Sequence, residues 1–337
     1  MRRGGPGIAS AVLAAAILLF APAAFAFSLR VGPFHISFPS HGHRHYHRHH
    51  FFARSGPTGP VHSAVARGTA SALFYPQLAL PDVLANVFSS PSAWPFDYQS
   101  IVLTAFTKQE PQNRQLCEPQ SDLAGRLLAP VGAVLELTEA QAPLLDKLGD
   151  ALESASTSLV KACPTIVAST PNARLQLMGG QIGQIATALG GVRQPLQDFQ
   201  HALTDEQLAR FAAMIAPTSA NNTGGRPKDA APGCGGDAAS VTDRAISLIE
   251  QTVAPSAAQR DALNVFKSAL GDAATDLQAD CAAPMSPTEL GRLGTIETRL
   301  DTTRRVLRAI ETALTSFKGT LSDEQKAQLD AASFAPR

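Results

Sequence analysis

The sequence predicts an all-α protein: two tandem antiparallel helical units with long capped helices, preceded by a signal peptide and a disordered His-rich segment. Three observations carry this. An offset of 118 residues superposes the two halves of the body, so that Leu203-Thr204-Asp205-Glu206-Gln207 matches Leu321-Ser322-Asp323-Glu324-Gln325 and Cys163 matches Cys281. Apolar residues recur by three and four along both halves. The composition is 45% hydrophobic but only 6% aromatic across 337 residues, which favours small-residue helices over sheets.

The chain opens on Arg2 and Arg3, followed by an uncharged apolar run from Ile8 to Phe20 and the small-x-small pattern Ala24-Phe25-Ala26. This layout reads as a signal peptide over 1–26, cleaved after Ala26 and too short to span a membrane. No later stretch approaches the length of a span, so none is expected in the mature chain.

Residues 27–71 form the His-rich segment. His41, His43, His45, His47, His49 and His50 lie within ten residues, with Arg44 and Arg48 between them. Such a run buries too little apolar surface to offset its ordering entropy, so disorder is expected. Six imidazoles this close could chelate zinc, copper or nickel. The alternating spacing fixes no unique tetrahedral cage. The alternative is a solvated tail that gains charge as the pH falls through about 6.5.

A short helical extension follows over 72–116. Leu78, Leu80, Val83, Leu84, Val87 and Phe88 predict a short helix after Pro81, broken at Ser90-Pro91 and Trp94-Pro95. Asp97 to Phe106 predicts another. Trp94 and Phe96 are expected to anchor the extension on the body.

The body comprises unit 1 (117–216), a Gly- and Pro-rich linker (217–236) and unit 2 (237–337). Each unit reads as a short, a medium and a long helix, then a short terminal one. The long helix of unit 1 carries Leu175, Met178, Ile182, Ile185, Leu189, Val192, Leu196, Phe199 and Leu203. Its copy carries Leu293, Ile296, Leu300, Thr303, Leu307, Ile310, Leu314, Phe317 and Leu321. Gly179, Gly180, Gly183, Gly190, Gly191 and Pro195 should bend or loosen the first of these. The medium helices run through Leu145, Leu148, Leu152, Ala155 and Leu159, and through Leu263, Phe266, Leu270, Ala273 and Leu277. The short helices run through Leu123, Leu127, Val131 and Val134, and through Val241, Ala245, Ile249 and Thr252.

The four cysteines follow the repeat. In an exported chain they favour disulfides. The repeat selects Cys117 with Cys163 and Cys234 with Cys281, because an antiparallel hairpin brings the two ends together. Each closed loop of about 46 residues contributes roughly 4 kcal/mol on the chain-entropy model. No Cys-x-x-Cys occurs, against an oxidoreductase.

A short motif recurs four times: Leu137-Thr138-x-x-Gln141, Leu203-Thr204-x-x-Gln207, Ser256-x-x-Gln259 and Leu321-Ser322-x-x-Gln325. A hydroxyl three residues before Gln is a capping box: the hydroxyl accepts from the N3 amide and Gln reaches back to the N-cap amide. Each cap is worth about 1 kcal/mol. Leu203 suits a staple onto Leu208, whereas Leu321 meets Lys326.

These repeated motifs at helix starts, behind an export signal, resemble the LTxxQ-motif family of periplasmic proteins (Spy/CpxP-like), here as a tandem repeat. The resemblance implies periplasmic localisation and an ATP-independent chaperone or envelope-stress role, in which helical dimers hold unfolding clients on a concave surface. The partners it implies are unfolded or envelope proteins, bound by a homodimer or by a monomer whose tandem forms an internal pseudo-dimer. The rival reading is a metal-binding sensor or buffer acting through the six histidines.

Catalysis and nucleic-acid binding are not expected. Lys plus Arg and Asp plus Glu both number 28, so there is no basic excess to neutralise phosphates. His201 is the only histidine of the body and has no nucleophile elbow around it. Neither a phosphate loop nor His-Glu-x-x-His is present. No catalytic residue and no cofactor are assigned beyond a metal on the histidines.

Overall fold

The computed structural model describes residues 73–88, 94–108, 122–164, 168–215 and 237–334. The signal peptide, the six histidines, Cys117, Cys234 and the 217–236 linker lie outside the described residues. Among the described residues every regular element is a helix. Two belong to the extension, α1 (Pro76–Phe88) and α2 (Tyr98–Phe106). Unit 1 holds α3 (Leu123–Leu135), α4 (Ala142–Lys161), α5 (Pro171–Ala202) and α6 (Asp205–Ile215). Unit 2 repeats the order with α7 (Ala238–Val253), α8 (Ala257–Ala282), α9 (Glu289–Gly319) and α10 (Asp323–Ala331).

The three-four pattern becomes the core. All nine apolar positions named on each long helix, including Thr303 on α9, are buried. These faces do more than close each unit, because α5 and α9 pack on each other along their lengths. The seam is antiparallel. Asn172 bonds Thr315 at 2.8 Å and Gln176 bonds Glu311 at 2.6 Å. Further along, the side chain of Arg304 lies over Gly183, Arg193 pairs with Glu297, and Gln200 donates to Glu289. Numbers rise on one helix as they fall on the other, so the two repeats meet about an approximate two-fold axis.

The extension fills in against both repeats. α1 touches α3, α4, α5 and α9, while α2 touches α5, α7 and α8. Asp97 caps α2 by accepting from the Ser100 amide at 2.7 Å. Trp94 and Phe96 are buried and meet edge to face, 5.4 Å apart. Phe106 stands against Phe266 and Phe334. Arg174, fully buried, donates to the Ala105, Ala168 and Ser169 carbonyls and so ties α2 to the start of α5.

Three local expectations are corrected. The first helix starts at Pro76, and Pro81 sits inside it. The ring removes one intrahelical bond, yet Leu80, Val83, Leu84 and Val87 are wholly buried and hold the helix through it. α5 runs as one 32-residue helix despite its glycines and Pro195, supported by α4 on one flank and α9 on another. On α3 Leu123 and Val131 are buried as expected and Leu127 packs half-buried against the core, but Val134 is exposed, and Ala124, Leu128 and Leu135 are buried instead.

Candidate functional site

The four Leu/Ser/Thr-x-x-Gln motifs converge two by two. In unit 1 the amides of Gln141 and Gln207 bond each other in both directions, at 2.8 Å and 3.0 Å. In unit 2 Gln259 and Gln325 do the same, at 2.9 Å and 3.2 Å. The partners are 66 residues apart in both units.

Each amide is fully used. The Oε1 atoms accept from the amides of Thr138, Thr204, Ser256 and Ser322, the residues that open the motifs. The Nε2 atoms donate across to helix ends. Gln207 reaches the Leu135 carbonyl that ends α3, and Gln325 reaches the Val253 carbonyl that ends α7. Gln141 reaches the Ala202 carbonyl that ends α5, and Gln259 the Thr320 carbonyl just past α9. One glutamine pair thus satisfies orphan groups at two helix starts and two helix ends, groups that otherwise need water. Glutamate could accept but not donate, so the site requires the amide.

Backbone geometry prepares this junction. Glu136 and Ala254, repeat-equivalent residues, both take positive φ, at 50° and 44°, and turn the chain from the short helix into the motif. Leu203 and Leu321 are buried beside the junction, and Leu208 packs against the core. Leu137 packs there as well.

Complete capping boxes form at Ser256/Gln259 and Ser322/Gln325. At Thr204/Gln207 both bonds are also present, at 3.2 Å and 3.0 Å. The Thr138 motif departs from the expectation. Gln141 still returns to the Thr138 amide, but the Gln141 and Ala142 amides both bond the Thr138 carbonyl, and α4 starts only at Ala142. Pro143 has no N–H to give the Glu139 carbonyl, so the α-type bond from Ala142 to the Thr138 carbonyl is not followed by the next one at this turn. Sequence reasoning read each motif as a separate cap and missed that the glutamines pair. The equal 66-residue spacing in the two units was the available signal.

Electrostatics concentrate where the repeats meet. Glu289, at the start of α9, is buried at 3% exposure. It accepts from Gln200 of α5 and stands 3.6 Å from Arg292. Burial pushes its carboxyl above the ordinary range, against the opposing pull of backbone hydrogen bonding, Arg292 and Gln200. Burial also lowers the Arg174, Arg292 and Arg299 guanidiniums. Arg299 donates to the Asp280, Cys281 and Ala283 carbonyls and lies 5.7 Å over the Trp94 ring. It therefore closes the end of α8 and anchors the extension in one step.

The described residues contain no group of three or more His, Cys, Asp or Glu placed to hold a metal ion. No described helix is long and apolar enough to cross a membrane. Neither Cys163 nor Cys281 is a free thiol. His201 is exposed at the end of α5. Exposed large apolar side chains among the described residues are Val134 and Val265.

These features define a class: a duplicated four-helix unit whose helix ends are joined by paired glutamine amides. A family model described as LTXXQ motif family protein matches the chain twice, over residues 125–214 and 242–333. The chain belongs to that family, as a tandem. No curated protein and no solved structure matches it.

Proposed function

We propose that the protein is a periplasmic, ATP-independent binder of other proteins, holding unfolded clients or an envelope partner in a chaperone or envelope-stress role. The observation that carries this reading is the double match to the LTXXQ family, together with the glutamine-paired junction in each repeat. The secretory layout of residues 1–26 supports the compartment. The same reading assigns the disulfides Cys117–Cys163 and Cys234–Cys281, which non-reducing peptide mapping checks directly.

The test is light scattering from an aggregating denatured client, without ATP, using the mature chain from Phe27 and a variant lacking residues 27–62. Suppression by both is expected and assigns the activity to the helical body. No suppression by either, across several clients, removes general holding.

The six histidines, His41 to His50, carry a second reading, a zinc, copper or nickel sensor or buffer. Calorimetric titration of the mature chain with zinc tests it, and absence of heat at micromolar metal rejects it.

A further inference from the structure

The two long helices differ sharply in charge. On α5 the stretch from Leu175 to Val192 holds no Asp, Glu, Lys or Arg, whereas the matching stretch of α9, from Leu293 to Ile310, holds six. The solvent-facing flank of a helix is ordinarily charged, and α9 follows that rule where α5 does not. The difference has a structural counterpart. Between α4 and α5 runs a groove of about 400 Å3, lined by Ser154, Ser158 and Ala162 from one helix and by Gln184, Thr187 and Gly191 from the other. Leu159, buried, forms part of its floor.

In unit 2 the same places carry charge. At the 118-residue offset Ser154, Ser158 and Ala162 become Asp272, Asp276 and Asp280, and Thr187 becomes Arg305. Arg305 donates to Thr302 at 3.2 Å and stands 4.0 Å from Asp276, so it bridges α9 to α8. Unit 1 lacks this bridge, and no charged residue lines its groove. Such a surface suits a segment that is itself small and nearly uncharged, because covering an unpaired charge is costly.

A segment of that kind leads directly to one end of the groove. The described residues begin at Leu73. One residue on, the Phe74 carbonyl accepts from Gln181 Nε2 at 2.9 Å, and Gln77 Nε2 donates to Cys163 Sγ at 4.0 Å. Gln181 is one turn from Gln184, and Cys163 adjoins Ala162. The chain therefore enters the fold at the Ala162–Gln184 end. From there the groove follows α4 back to Ala151, about 17 Å at the helical rise. The ten residues before Leu73, Ser63 to Ala72, lie outside the described residues. They carry one charge, Arg67, and otherwise no side chain larger than that of Val65. Ten residues reach up to about 33 Å when extended, enough to turn over the helix end and follow the groove. Because the segment is tethered, its effective concentration is of millimolar order, and weak intrinsic affinity suffices.

We propose that residues 63–72 of the same chain seat in the α4–α5 groove of unit 1, as a strap for which the uncharged wall of that unit is the docking surface. The strap makes this side of unit 1 part of the folded body rather than free surface for clients. It does not depend on the protein-binding reading above. The variant lacking residues 27–62 retains it, so the light-scattering comparison leaves the strap in place.

The test is amide hydrogen exchange read by mass spectrometry on the full mature chain from Phe27. Wild type is compared with the double variant Ser158→Asp, Thr187→Arg, which copies the Asp276–Arg305 pair of unit 2 into the groove. Circular dichroism confirms that the variant is folded, and Gly191→Leu, which fills the groove from α5, replaces it if it is not. The expected result is that amides of residues 63–72 exchange at least about tenfold more slowly in the wild type than in the variant. Unprotected exchange in the wild type, or equal protection in both chains, overturns the strap. Photocrosslinking from benzoylphenylalanine in place of Val65 identifies what lies against the segment. Adducts within one molecule, to α4 or α5, are expected. Adducts between two molecules assign the groove to a second copy, and adducts to other helices place the segment elsewhere; either overturns the proposal.

Discussion

At the scale of single residues, the paired glutamines and Glu289 have the sharpest consequences. Gln207 uses both hydrogens of its amide, on Gln141 and on the Leu135 carbonyl. Gln207→Glu removes both donors and places a carboxylate against two oxygens. We predict a loss of about 2–3 kcal/mol at neutral pH by urea denaturation. The loss should shrink as the pH falls, because a buried carboxyl facing oxygens takes up its proton early. Glu289 carries a pH effect of its own. Its folded pKa lies above the model-compound value of 4.5, so the folded state binds the proton more tightly than the unfolded one. Its contribution to stability is full below about 4.5 and is lost as the pH rises through the raised folded value. Stability measured across that window should fall less steeply in Glu289→Gln than in the wild type. An unchanged slope would show that another group titrates there.

At the scale of elements, the long helices show how far pattern reading reaches. Their apolar positions were legible because burial is set by periodicity, which a sequence carries openly. Pro81 and Pro143 were harder. One sits inside a helix that packing preserves, and the other delays a helix that its cap announces. The effect of a proline depends on which carbonyl loses its donor and on what else holds the turn. The glycines of α5 were expected to weaken it, and the helix is continuous. An added Cβ at Gly179 or Gly190 would meet nothing within 4 Å. Neither position therefore needs glycine for space. Gly179→Ala and Gly190→Ala should each stabilise the protein by about 0.5–1 kcal/mol in thermal or denaturant melts. Destabilisation would mean that the helix departs from regular geometry there. Gly291 is the contrasting case, since its Cβ would fall 2.0 Å from the Ser286 hydroxyl oxygen. Alanine there forces the loop before α9 to move.

At the scale of the whole molecule, the duplication was legible and the way the copies meet was not. The 118-residue offset defines two units, but repetition alone does not say which faces touch. The seam carries particular cross-repeat pairs, Asn172 with Thr315 and Arg193 with Glu297, whose residues look like ordinary surface polar groups in the sequence. The glutamine pairing was hidden for the same reason: a capping box is a local signal, and its second function is contact across the unit. Because α5 and α9 already cover each other within one chain, the mature protein is predicted to sediment as a monomer at micromolar concentration. An obligate dimer would contradict the internal pairing as the complete assembly.

The seam also sets a schedule for folding. Helical proteins fold quickly when their contacts are local in sequence. Here the pairs that join α5 to α9 span from 89 residues, Gln200 to Glu289, to 143, Asn172 to Thr315. A chain emerging from its N-terminus can build the helices of unit 1 early, yet the inner face of α5 has no mate until α9 has followed. During that interval the side of α5 that carries Asn172, Gln176, Arg193 and Gln200 lacks the α9 partners it holds in the finished fold.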